Sequence, residues 1–98
     1  MSVYLVSVCE ITNMSNDLKE YAQKSAELIQ KFGGSYVTRG PATEIYEGGL
    51  LANKSVIITK FPDIGSVHAF WESDEYSAIK PKREGTGVYD IGVYQGAE

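Results

Sequence analysis

The sequence predicts an α+β fold, a ferredoxin-like βαββαβ chain in which helices cover one face of an antiparallel sheet. Three observations lead there. Apolar runs of strand character alternate with two helical patterns in the order strand, helix, strand, strand, helix, strand. The 98 residues, 43% of them hydrophobic, suffice for one self-supporting domain over 1–98. Both parities of the first strand are apolar, so its second face needs a cover, and that predicts a homodimer with two sheets packed face to face.

Val3 to Ile11 is the first strand, with Val3, Leu5, Cys9 and Ile11 on one parity and Tyr4, Val6 and Val8 on the other. Asp17 and Glu20 resemble a capping box, and Leu18, Tyr21, Ala22, Ser25, Leu28, Ile29 and Phe32 follow at helical spacing. Gly33-Gly34 is placed to end that helix, since glycine accepts the left-handed conformation that satisfies the last carbonyls. Ser35 to Arg39 then alternates, placing Tyr36 and Thr38 on one side and Val37 and Arg39 on the other, until Gly40-Pro41 breaks the pattern.

A charge on a half-buried strand needs a partner. The next strand-like run, Glu44 to Glu47, offers one across a short hairpin: Glu44 if the loop is 40–43, Glu47 after a slip or bulge. Arg39 therefore reads either as half of an edge-strand ion pair, contributing about 0 to 1 kcal/mol, or as a ligand anchor. Ser55 to Phe61 is a central strand, with Val56, Ile57 and Ile58 consecutive. Pro62-Asp63 opens a helix whose stripe is Ile64, Val67, His68 and Trp71. Ser73-Asp74 resets the register for a short turn, 75–79, that Pro81 stops. Val88 to Tyr94 closes the sheet with Tyr89, Ile91 and Val93 inward, and residues from Gly96 onward are expected to fray.

Composition excludes several functions. A net charge of -4 and a pI near 4.9 disfavour nucleic-acid and anionic-membrane partners. Lys80, Lys82 and Arg83, beside Glu84, read as a solvated surface. Cys9 is the single cysteine, which excludes an internal disulfide and reads as a buried, inert thiol. One histidine with only Glu72 at helical spacing makes a poor metal site, and no cofactor is implied. Without a basic leader or an apolar run of about 18 residues, the expected location is cytoplasmic. No serine or cysteine stands beside a base, so covalent catalysis lacks its residues.

Gly-Gly-Ser-Tyr-Val-Thr-Arg-Gly at 33–40, Tyr-Glu-Gly at 46–48, Val-Ile-Ile-Thr-Lys-Phe-Pro at 56–62, Phe-Trp-Glu-Ser-Asp-Glu-Tyr at 70–76 and Lys-Pro-Lys-Arg at 80–83 run in a characteristic order. With these the chain resembles, over nearly its whole length, a bacterial family called domain of unknown function 1330. The resemblance implies a dimeric α+β barrel. Ser73-Asp74-Glu75-Tyr76 departs from the Ser-Pro-Glu-Tyr usual in that family, a change of little consequence early in a helix. Proteins similar in architecture alone include cofactor-free monooxygenases, haem-degrading enzymes, muconolactone isomerases and ligand-sensing domains, which bind small, often aromatic molecules between sheet and helices. By analogy, the chain is expected to bind a small aromatic or carboxylate-bearing molecule there.

The candidate ligand-binding residues are Tyr36, Arg39, Glu47, Trp71 and Tyr76, with Arg39 pairing a carboxylate or developing enolate and Trp71 stacking on a planar ring. His68, one turn before Trp71, is the candidate catalytic residue for proton transfer in a cofactor-free monooxygenase or isomerase. The opposed reading leaves His68 and Trp71 as core packing in a structural or protein-binding module.

Overall fold

The computed structural model describes residues 2–97. Strands β1 (Val3–Ile11), β2 (Ser35–Pro41), β3 (Ser55–Phe61) and β4 (Gly87–Gln95) form one antiparallel sheet in the order β2-β3-β1-β4. Helices α1 (Asn16–Lys31), α2 (Ile64–Trp71) and α3 (Asp74–Ile79) lie on one face, and a 3-10 turn at Lys80–Arg83 leads into β4. This is the expected ferredoxin-like α+β architecture.

Each helix starts on an oxygen side chain. Ser15 accepts from the Leu18 amide, Asp63 from Ser66 and Ser73 from Tyr76. The first cap therefore lies two residues before the expected Asp17, because Ser15 already fills that role. The glycine pair ends α1 as expected: the Gly33 amide donates to Gln30 O and the Gly34 amide to Ile29 O, with Gly33 at a φ of 89°. Gly34 is required for a second reason, since a Cβ there would sit 2.8 Å from Ile29 and the Phe61 ring.

Register assigns the two faces. Leu5 lies between Thr59 and Val93, Ser7 between Ile57 and Ile91, and Cys9 between Ser55 and Tyr89. The residues between them, Tyr4, Val6, Val8, Val56 and Ile58, are half-buried on the opposite face, which no helix among the described residues covers. Under the helices the core is Val3, Leu5, Ile29, Phe61, Val67, Phe70, Tyr76 and Ile79. Phe70 is its hinge point, with ring centroids 4.7 Å from Tyr76, 5.9 Å from Phe61 and 6.3 Å from Phe32.

Phe70 also corrects the expected stripe of α2. The buried residues of that helix are Val67 and Phe70, while Ile64 and His68 are exposed. The larger apolar ring takes the inward position and rotates His68 outward. Two further expectations change. Residues 42–54 form an irregular loop, without the strand expected at 44–47. At the chain end, Gly96 is buried and its amide donates to Ser2 O at 2.9 Å, so it is tied down, while Glu98 lies outside the described residues.

Candidate functional site

The sheet departs from simple alternation in β2. Tyr36 pairs with Thr59, but Thr38 pairs with Ile58 and Arg39 with Ile57, so Val37 is the extra residue of a β-bulge. Thr59 and Ile57 both face the helices. The bulge therefore turns Arg39 onto the same face as Tyr36, whereas strict alternation had set them apart. Its guanidinium stacks 4.7 Å from the Tyr36 ring centroid.

Both residues line a cleft between α1 and the sheet. It has two connected parts, sharing Tyr21, Ser25, Tyr36, Ile57 and Tyr89 as walls. The outer part, about 530 Å³, is bounded by Met14, Leu18 and Lys19 from the helix side and by Cys9, Arg39 and Gly40 from the sheet. The inner part, about 90 Å³, reaches Ser7, Thr59, Phe70, Trp71 and Tyr76. The outer volume falls within the range of about 300 to 1,000 Å³ usual for small-molecule sites.

Charge in the cleft has one sign. Among the described residues Lys19 and Arg39 are its charged lining, with no Asp or Glu beside them. Among the described residues neither cation has an ion pair: the salt bridges join Lys24 and Lys82 to Glu20, Lys31 to Glu75 and Lys54 to Glu10. Glu44 and Glu47 are exposed in the 42–54 loop, and Glu44 accepts instead from the Tyr46 hydroxyl at 3.0 Å. Arg39 thus has neither of the carboxylate partners expected for it, because the second strand of that hairpin does not form.

At the inner end, Tyr21 and Tyr76 join hydroxyls at 2.7 Å. Tyr76 is 1% exposed. Arg83 stands behind this wall, its guanidinium 4.8 Å from the Tyr89 ring and 5.8 Å from that of Tyr21. Its Nε is buried without a hydrogen-bond partner. Burial, and then the Tyr76 neighbour, pushes the Tyr21 phenol well above its ordinary pKa, so it is a protonated donor at neutral pH. Burial alone would lower the pKa of Arg83, but the Tyr76 and Tyr21 oxygens outweigh it and the net shift is upward. Thr86 shares a 2.6 Å hydrogen bond with the Tyr89 hydroxyl, which fixes the outer ring of the wall.

Of the residues singled out in the sequence, Tyr36, Arg39, Trp71 and Tyr76 meet at this cleft, and Glu47 does not. His68 lies outside it, in a groove with Leu5, Val67, Trp71 and the β4 residues Ile91 to Val93. Trp71 separates the two cavities and carries Lys80 over its ring at 4.6 Å. Sequence reasoning missed Tyr21, Tyr89 and Arg83. The first sat in the apolar series of α1, where a phenol and a packing ring look alike, and the basic run at 80–83 gave no sign that its last member turns inward. Cys9 is buried at the cleft wall, and burial raises its thiol pKa, which keeps it a poor nucleophile. No group of three His, Cys, Asp or Glu among the described residues could hold a metal ion.

The sequence matches Domain of unknown function (DUF1330) over residues 2–97. The chain belongs to the DUF1330 family. No curated protein matches it. Among solved structures it is similar to the RPA0582 protein of unknown function from Rhodopseudomonas palustris, at 11% identity and a TM-score of 0.80, covering 99% of this chain and 83% of that one. It is similar to SnoaB, a cofactor-independent oxygenase from Streptomyces nogalater, at 11% identity and a TM-score of 0.71, covering 99% and 94%. An uncharacterized NIPSNAP domain protein from Burkholderia xenovorans shares 15% identity at a TM-score of 0.65, covering 99% and 95%. At these identities the likeness carries the ferredoxin-like fold alone. No helix among the described residues is long and apolar enough to cross a membrane.

Proposed function

We propose that this chain is a cytoplasmic homodimer that holds a small aromatic carboxylate in the cleft between α1 and the sheet. The observation that carries this reading is Arg39, which the Val37 bulge sets over Tyr36 at the cleft mouth with no anionic partner among the described residues. In a chain of net charge -4, a cleft whose charged lining residues are all cationic favours an anion, and its apolar walls favour a ring. Tyr36 and Arg39 would grip the carboxylate end, with Trp71 and Tyr76 at the inner end.

The dimer part of the reading rests on the uncovered sheet face. Besides Tyr4, Val6, Val8, Val56 and Ile58, the strands expose Val37, Val88 and Tyr94. Four strands of this length present about 500 to 600 Å² per copy, so two copies would bury about 1,000 to 1,200 Å², enough for a specific interface. A second copy of the chain offers the matching apolar surface.

A thermal-shift screen against small aromatic acids, quinones, lactones and haem, run beside a mass measurement in solution, tests both parts. Saturable stabilisation by an aromatic acid that disappears in Arg39→Ala, on a dimeric protein, is the expected result. A monomer would overturn the sheet-to-sheet dimer, and acids that stabilise Arg39→Ala equally would overturn the anchor.

A second reading, a cofactor-free monooxygenase or isomerase, is favoured by the groove that His68 shares with Trp71. SnoaB is described as a cofactor-independent oxygenase, and the shared fold makes the comparison natural. His68 would there move a proton on a ligand bound in the outer groove. His68→Ala should then abolish turnover while binding in the α1 cleft stays unchanged.

A further inference from the structure

We infer that the Tyr21–Tyr76 hydroxyl pair, backed by Arg83, is a second anchor that donates a hydrogen bond to a carbonyl or phenolate oxygen of the bound molecule. This inference rests on the reading of the cleft as an aromatic-carboxylate site and adds the other end of the ligand. Both rings line the inner chamber, and their hydroxyls meet at 2.7 Å. Two hydroxyls that share one hydrogen bond have used one of their two protons, so one O–H remains to be donated. Arg83 meets the same two oxygens as a donor, which occupies their lone pairs and leaves that proton unspent.

Arg83 sets the polarity of the pair. A guanidinium has donors and no acceptor, and it stands beside both phenolic oxygens with no carboxylate partner among the described residues. Its positive charge disfavours a further cation or donor at this end and favours an oxygen acceptor. Leu5, Ile29, Phe70 and Trp71 make the walls around the pair apolar, so an oxygen set against them would lose its water without compensation; of the other hydroxyls of the chamber, Ser25 donates to Ala22 O and Tyr89 is joined to Thr86, while Ser7 and Thr59 stand on the sheet. The ligand class is thus a planar aromatic with an acid at one end, toward Arg39, and an acceptor oxygen at the other. Arg83 is a positioning residue, since it lines neither part of the cleft.

Two nearly isosteric probes separate this from packing: para-acetylbenzoic acid, which carries the acceptor, and para-isopropylbenzoic acid, which replaces it with a methyl group. Titration calorimetry of the dimer should favour the acetyl compound by about tenfold. In the double variant Tyr21→Phe/Tyr76→Phe that preference should vanish or reverse, because no phenolic donor is left, whereas either single change still leaves one unshared O–H. Arg39→Ala should weaken both probes and leave their ratio intact. Taking a ratio on each variant cancels any general effect on folding. Equal or tighter binding of the isopropyl probe by the wild type overturns the inference while leaving the cleft as a site, and so does a preference that survives in the double phenylalanine variant. Binding of neither probe overturns the cleft reading itself, and the anchor with it.

Discussion

Arg39 and Arg83 both stack on tyrosines of the same cleft, yet they stand in opposite conditions. Arg39 is exposed at the mouth, 4.7 Å over Tyr36, on a strand that a bulge has turned. Arg83 is half-buried behind Tyr21 and Tyr89, where its Nε has no hydrogen bond. An exposed, unpaired cation loses little by staying hydrated and is free to meet a ligand. A half-buried one is fixed against the rings and phenolic oxygens it touches. One cleft therefore has an open, cationic end, which the proposed reading makes the binding end, and a built end.

The contrast can be broken first at the built end. Tyr76→Ala should destabilise by about 3 to 5 kcal/mol in urea unfolding, because it empties the space against Phe70, Trp71 and Tyr21. Arg83→Ala should follow at about 1 to 2 kcal/mol, through the stacking and packing it loses on two rings. Arg39→Ala should change stability by less than about 0.5 kcal/mol while weakening binding of an aromatic acid by about tenfold or more. If the two arginine variants were equally destabilising, the distinction between the ends would fail.

High pH sharpens the same point. The folded Tyr21 pKa is raised, so the folded protein keeps that proton after the unfolded chain has released it. Stability is then fully present below the ordinary tyrosine value, about 10, and falls as the pH rises beyond it. Denaturant melts between neutral pH and alkali should show that fall, and Tyr21→Phe should make it shallower. The smallest effect belongs to His68→Ala. Its side chain is exposed on α2, so unfolding should shift by no more than about 0.5 kcal/mol and α1-cleft binding should not change.

Legibility in the sequence followed periodicity. Strand order, the Gly33-Gly34 stop and the short helix behind Ser73 were all readable because each is local and carries its own signal. The bulge at Val37 was not, since an extra residue in one strand is defined only against its partner strand. That single insertion decides which face Arg39 takes. The stripe of α2 was misread in part for a similar reason: Val67 was placed inward and is, but Ile64 and His68 also satisfy helical spacing with it, and so does Phe70, whose volume against Phe61 chooses the inward side. Arg83 lay in a basic run whose solvated reading was reasonable for Lys80 and for Lys82, which pairs with Glu20, but not for the member whose guanidinium reaches the Tyr21 ring.

Amide chemical-shift mapping of the labelled protein during titration with para-acetylbenzoic acid tests most directly that the α1 cleft is where a ligand binds. Saturable shifts should gather at Tyr21, Ser25, Tyr36, Arg39 and Ile57, with His68 and Gly92 unmoved. Shifts centred on His68, Gly92 and Val93, with the α1 residues silent, would contradict that placement and move the site to the groove beyond Trp71.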